Sequence, residues 1–261
     1  LDDAGALDKA LVDVGAVLHC AGPFSRTSRK MVDACLRTGR HYLDITGEIP
    51  VFEACAARSN EARAKNVALI PGVGFDVVPS DCLAAHVKQR LPSATSLALC
   101  IASLGRLSHG TASTFAEHMA EGGAVRRNHT IVPEPTAKRS RTFDLGDGKA
   151  RVAVSMPWGD VSTAWHSTKI PDITVYFALP RALRLALRAS SLVPPPILRS
   201  KRVRRFVQAR IPAGGPDENE RARSRAVIVA EARDGSTRVT SRLHTPDGYA
   251  LTADTALRAV L

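Results

Sequence analysis

The residues best placed to do chemistry stand where apolar runs stop. Ala16–Cys20 is a short, nearly unbroken apolar run, the pattern of a strand buried on both faces of a parallel sheet. Ala21-Gly22-Pro23-Phe24 ends it at once. Glycine lets a backbone approach a ligand closely, proline stiffens the turn, and the helical pattern from about Arg26 adds a positive dipole end beside it. A second run, His41–Ile45, stops at Thr46-Gly47-Glu48, where the carboxylate suits a sugar or a nicotinamide amide and equally a cap on the helix opened by Pro50. A third, Val67–Ile70, stops at Pro71-Gly72-Val73-Gly74, with Asp76 and Asp81 just beyond. These two acids suit a substrate cleft or ordinary turn and capping duties. In open α/β sheets small molecules sit beyond the carboxyl ends of the strands, where all three stops fall.

Other chemistry is thinly represented. His109, before Gly110-Thr111, is a candidate to face a cleft, and His118 falls on the helix expected near Phe115–Ala120. His19 packs within its strand and His41 begins one. No His–carboxylate spacing suggests a metal site, and no G-x-S-x-G elbow suggests a hydrolase. Gly72-Val73-Gly74 follows a strand but lacks the third glycine of a dinucleotide fingerprint, since position 77 is Val. No catalytic residue is singled out.

The elements that must position these residues read as successive β-α-β units. A short helix over 3–12 leads into the strand 14–20. Ser25, Thr27 and Ser28 supply helix-start chemistry, the stripe Met31, Val32, Cys35, Leu36 follows, and Gly39 stops the helix. A helix runs from Pro50 to about Lys65. Parallel pairing of 14–20, 41–45 and 67–70 follows from right-handed crossovers. Ser80 or Asp81 is expected to cap a helix reaching Leu91, with Pro79 delaying its start. Strands are expected at Leu97–Ala102, Arg151–Met156, Val161–His166 and Ile173–Ala178, with a long polar loop carrying short strands over 123–150. A hairpin turns at Asp234-Gly235, and Tyr249–Thr252 reads as an edge strand. The fold class is α/β: a partial Rossmann-like parallel sheet plus an α+β substrate domain with a mainly antiparallel sheet. The division expected is 1–75 for the dinucleotide-binding part, 76–252 for the substrate and dimerisation part, and 253–261 as the start of a helix returning to the first.

Three motifs carry a family resemblance. Cys20-Ala21-Gly22-Pro23-Phe24, His41-Tyr42-Leu43-Asp44-Ile45-Thr46-Gly47-Glu48 and Gly74-Phe75-Asp76-Val77-Val78-Pro79-Ser80-Asp81 occur in that order. Together they resemble the saccharopine dehydrogenase-like oxidoreductases, most of all the branch of trans-acting enoyl reductases of lipid synthesis. The match is strong over 14–82 and weak beyond about Thr114. The resemblance implies NADP or NAD as cofactor, with contacts at Cys20, Ala21, Gly22, Pro23, Phe24, Gly47, Glu48, Gly74 and Phe75. It implies substrate contacts at Asp76, Pro79, Ser80 and Asp81, to which the sequence position of His109 adds a further candidate, and hydride transfer to a lipid or small acyl substrate. The family's glycine fingerprint comes well upstream of the Cys20 strand. The reading is therefore of a chain truncated at its N-terminus, whose 261 residues alone bind NADPH weakly. The alternative is a non-catalytic, membrane-peripheral or interaction protein that keeps the fold.

Bulk properties narrow the partners. A net charge of +11 would admit nucleic acid, but Arg is spread along the chain beside abundant Ala, so nucleic acid is disfavoured. The exception is 181–210, which holds nine Arg and Lys and no acid, interleaved with Leu183, Leu185, Leu187 and Leu192. That stretch suits an anionic membrane surface or a solvated insertion helix hinged at Pro194-Pro195-Pro196. A homodimer is left open. The five cysteines form no C-x-x-C pair, which argues against a disulfide scaffold or a Cys-based zinc site. With no signal peptide or apolar span, the expected location is cytoplasmic, with membrane association through 181–210 left open.

Overall fold

The computed structural model describes residues 1–103, 122–193, 197, 200, 202–203, 209 and 214–261. They form two units, Leu1–Val78 with Tyr249–Leu261, and Pro79–Gly248.

In the first unit, β1 (Ala16–His19), β2 (His41–Asp44) and β3 (Leu69–Ile70) form a parallel sheet in the order β1-β2-β3. Ala16 stands opposite His41 and Tyr42 opposite Leu69. The connections are helical, as parallel neighbours require. Helix α1 (Ala4–Ala10) starts on Asp3, whose carboxylate accepts from the Ala6 N–H at 2.9 Å. Helix α2 (Phe24–Thr38) buries Val32, Cys35 and Leu36 against Tyr42 and Val51, and ends on Gly39 at φ 70°. The single helix expected over 50–65 is two, α3 (Ile49–Ala57) and α4 (Ser59–Ala64), broken at Arg58. Ser59 and Asn60 follow the break, residue types that compete for backbone groups and favour helix ends over interiors. The Arg58 guanidinium bonds Asp33 and Glu61 there.

Helix α5 (Val78–Arg90) opens the second unit. It starts earlier than expected: Pro79 lies in its first turn, where a missing N–H costs nothing, so Ser80 and Asp81 are inside the helix and do not cap it. Among the described residues the unit's sheet has eight strands. These are β4 (Ser96–Ser103), β5 (Gly123–Arg127), β6 (Thr130–Glu134), β7 (Ser140–Asp144), β8 (Ala150–Ser155), β9 (Asp172–Ala178), β10 (Ala226–Asp234) and β11 (Thr237–Thr245). The order is β11-β10-β4-β9-β5-β6, with β8 also on β9 and β7 on β8. Among the described strands of this sheet, only β4 and β9 pair in parallel. Phe143 and Leu145, at the end of β7, pack with Ala98, Cys100, Tyr176 and Val229, so that β7 covers part of one sheet face.

Two expected strands are helical. Val161–His166 lies in α6 (Asp160–Thr168), where Val161, Ala164 and Thr168 are buried at helical spacing. Tyr249–Thr252 lies in α9 (Gly248–Val260), which packs Ala256 against Leu43 and Val73 of the first unit. Between them come α7 (Arg181–Ser190) and α8 (Glu218–Arg223). His109, His118 and the helix expected near 115–120 lie outside the described residues.

Candidate functional site

The three stops converge at the carboxyl edge of β1-β2-β3. The Glu48 carboxylate accepts from the N–H groups of Phe24 and Ser25 at 2.8 and 2.9 Å, which ties the second segment to the first. Asp44 Oδ1 accepts from Thr46 N–H at 3.0 Å and from Gly72 N–H at 2.8 Å, which ties the second to the third. The Asp44 carbonyl also accepts from Val73 N–H at 2.8 Å. Gly47 lies against Asp76: a Cβ on it would meet Asp76 Oδ2 at 3.1 Å.

This geometry corrects the expected start of α2. Its N-cap position is Pro23, which offers no side-chain cap, and Ser25, Thr27 and Ser28 do not fill that role. Glu48, 24 residues away from Phe24, does. The carboxylate also makes no side-chain cap on its own helix α3. The dipole end that the sequence offered to a ligand is therefore already met by an acid of the protein. Thr27 is used otherwise. Its hydroxyl donates to Ala21 O at 2.7 Å and meets His19 Nε2 at 2.9 Å, so His19 and Thr27 brace the turn from behind. The Gly22–Pro23 peptide is cis. Cys20, Ala21 and Gly22 are exposed at the edge, and Pro23 and Phe24 are half-buried.

Behind the edge the site is closed to water. Asp44 is fully buried, and Tyr42, two residues earlier on the same strand face, donates its hydroxyl to Asp44 Oδ2 at 2.6 Å. Burial pushes the Asp44 carboxyl up against the pull of its hydrogen bonds, and burial with the neighbouring Asp44 pushes the Tyr42 phenol up. Burial moves His19 down, towards the neutral ring, and raises the Cys35 and Cys55 thiols to about 11 and about 12. Gly72 has φ +76°, and Gly74 is buried against Thr252, whose hydroxyl oxygen accepts from Phe75 N–H at 3.0 Å. Thr255 donates its hydroxyl to Val73 O at 2.7 Å.

The expected cofactor set thus gathers at one edge, while the expected substrate set divides. Asp76 belongs to the first unit, and Pro79, Ser80 and Asp81 to the second. Pro79 and Ser80 are buried within α5. Asp81 accepts from the Ser167 hydroxyl, and burial raises its pKa. The residues that reading the sequence missed are Asp44, Thr252 and Thr255. An acid at the end of an apolar strand was the available signal for Asp44; nothing local marks the two threonines. Among the described residues no group of three or more His, Cys, Asp or Glu is placed to hold a metal ion.

A parallel sheet with its turns gathered at the carboxyl edge, next in the chain to a larger mixed sheet, is a Rossmann-like arrangement. Over 99% of its length the chain superposes on saccharopine dehydrogenase (L-Glu forming) from Saccharomyces cerevisiae, covering 77% of that chain with a TM-score of 0.56 at 11% identity. In sequence it is similar to two kinds of curated protein. It is 26% identical over 151 residues to the trans-acting enoyl reductase of Mycobacterium ulcerans, spanning 54% of this chain and 36% of that one. It is 29% identical over 92 residues to the saccharopine dehydrogenase-like oxidoreductase of Mus musculus, spanning 35% and 21%. The chain thus matches about a fifth to a third of the length of these relatives. No family model matches. The resemblance carried by the three motifs, to saccharopine dehydrogenase-like oxidoreductases with the trans-acting enoyl reductases among them, holds.

Proposed function

We propose that the carboxyl edge of the first unit holds the nicotinamide end of NADP or NAD. The chain then serves an enoyl reductase-like oxidoreduction of a lipid or small acyl substrate. The observation that carries this is the exposed Cys20-Ala21-Gly22 turn, tied through Glu48 and Asp44 into one edge with Gly47 and Gly72-Val73-Gly74. The similarity to trans-acting enoyl reductases supports the acyl substrate.

The residues fit one part of the cofactor. Gly22 leaves open backbone for a ring or a ribose, and Asp76, beside Gly47, is the member of the expected substrate set that stands at this edge. Phosphate does not fit at α2, because Glu48 already takes its first two N–H groups and would repel an anion. The nicotinamide would supply the hydride. The protein's part is to hold the turn in place through Glu48, His19 and Thr27, and to keep water from Asp44 and Tyr42 behind it.

Titration of NADPH fluorescence tests the reading. Saturable binding is expected at up to about millimolar cofactor, weakened about tenfold by Gly22→Ala. That alanine would meet the Phe24 ring at an ordinary 3.6 Å, so the variant should fold. Absence of saturation, or indifference to Gly22→Ala, would defeat the proposal.

A second reading, a membrane-peripheral protein that keeps the fold, has one observation of its own. Leu185 and Leu192 are 56% and 85% exposed on or just after α7, beside Arg181, Arg184 and Arg188. No helix among the described residues is long and apolar enough to cross a membrane.

A further inference from the structure

The second unit contains a cavity of about 310 Å³ with an arginine-rich lining that the reading of the first unit does not use. Arg127, Arg139, Arg141 and Arg233 line it, against the carboxylates of Glu231 and Asp172. Asp172 is engaged, accepting from Asn128 N–H at 2.9 Å.

The way the guanidiniums are held matters more than their number. Arg139 donates through Nε to Glu134 at 2.9 Å, and Arg233 donates through Nε to Glu231. Arg141 gives one terminal nitrogen to the same Glu231 and stacks over Phe143 at 5.0 Å. The positioning acids are deep: the side chains of Glu134 and Glu231 are 5% and 8% exposed. Burial works against the Glu231 charge, but its bonds to Arg141 and Arg233 outweigh that and hold its pKa low. Both terminal nitrogens of Arg139 and of Arg233, and one of Arg141, carry no hydrogen bond among the described residues. Arg127 is tied down, with Nη2 on Thr174 Oγ1 at 2.7 Å, and adds charge without free donors on that side.

At the cavity wall, the Tyr176 hydroxyl makes no hydrogen bond among the described residues, although the residue is 8% exposed. Two forks pinned at their bases by buried acids with both tips spare, and a third held by one tip with the other spare, form a pre-ordered set of donors for planar or tetrahedral oxygens. A single carboxylate would use one fork; the oxygens and double charge of a phosphate use several.

We infer that this cavity is a binding site for a small phosphate-bearing anion, held by the free tips of Arg139, Arg141 and Arg233 and by the Tyr176 hydroxyl.

The test is calorimetric titration of the 261-residue chain with inorganic phosphate and with pyrophosphate, at constant ionic strength set with chloride. One-to-one binding is expected, weakened about tenfold or more in the double variant Arg139→Gln/Arg233→Gln. The control pair Arg181→Gln/Arg188→Gln on α7, which removes the same charge elsewhere, should leave it unchanged. Tyr176→Phe, which removes one oxygen, should weaken binding by a smaller factor and provides a readout if the double variant does not fold. Four results would overturn the inference. They are no binding, equal loss in the control pair, full affinity in folded Arg139→Gln/Arg233→Gln, or a dimer on light scattering that this double variant alone dissociates. The third would place the anion away from this cavity; the fourth would assign the guanidiniums to a second copy of the chain. NADPH affinity that survives the double variant separates this site from the nicotinamide edge.

Discussion

At the scale of single residues, the candidate edge rests on groups with little room to change. Gly72 adopts φ +76°, and a Cβ there would lie 2.6 Å from Phe52 Cζ and 2.7 Å from Val77 Cγ2. Its N–H is also one of the bonds on Asp44. Gly72→Ala therefore combines a left-handed backbone with overpacking, and a loss of about 2–4 kcal/mol in urea unfolding is expected. A loss well under about 1 kcal/mol would mean that the third segment is not seated as described. His19 sets a pH dependence. Its folded pKa lies below the ordinary value of 6.5, so near and below that pH the unfolded chain binds more protons than the folded one. Stability from this group is present above 6.5 and lost as pH falls through it. Asp44 acts in the opposite sense, since a raised carboxyl loses stability as pH rises, starting from the carboxylate range. Replacing His19 isolates its part: as pH is lowered from about 7 to about 5, the urea midpoint of the native chain should fall relative to that of His19→Gln. A constant difference between the two would remove His19 from the account.

Elements differ in how far they can be read from sequence. β1, β2 and the α2 stripe are legible because apolar period and glycine stops agree over each span. α6 is not: Val161, Ala164 and Thr168 follow the helical period, yet the short span Val161–His166 is equally a strand by composition. The partner of Glu48 was illegible for another reason. A carboxylate immediately before a helix start reads as a local cap, whereas this one caps a neighbouring helix through the fold. α7 is legible as basic and amphipathic but not in what it faces. Its Leu187 is fully buried in a cluster with Val154 and Met156, which anchors the helix and turns Leu185 outward. Weak flotation with vesicles rich in anionic lipid is expected, falling as salt rises and falling further in Leu185→Ser. Equal partition to neutral and anionic vesicles would leave α7 as a solvated helix.

At the scale of the molecule, the first unit is closed by residues from the far end of the chain. The motifs that carry the resemblance all lie within residues 14–82, and that stretch is where sequence speaks most clearly. Their third segment is nevertheless completed by Thr252 and Thr255, 177 and 182 residues beyond Phe75 and Val73. No periodicity or spacing within the motifs foretells such a contact, because it is set by where the chain returns after the second unit. The consequence is local. Thr252→Val removes the acceptor of the Phe75 N–H, and Thr255→Val removes the donor to Val73 O, at nearly constant volume. In the double variant the Phe75 amide should exchange with solvent about tenfold faster, because its opening no longer breaks that hydrogen bond. Amides of β10 in the second unit should keep their rates. Acceleration spread evenly over both units would mean that the threonines support global stability alone. Acceleration confined to the Val73–Phe75 segment would show that the returning helix α9 holds one side of the candidate edge, and the same variant should then weaken NADPH binding without lowering the anion affinity of the second unit.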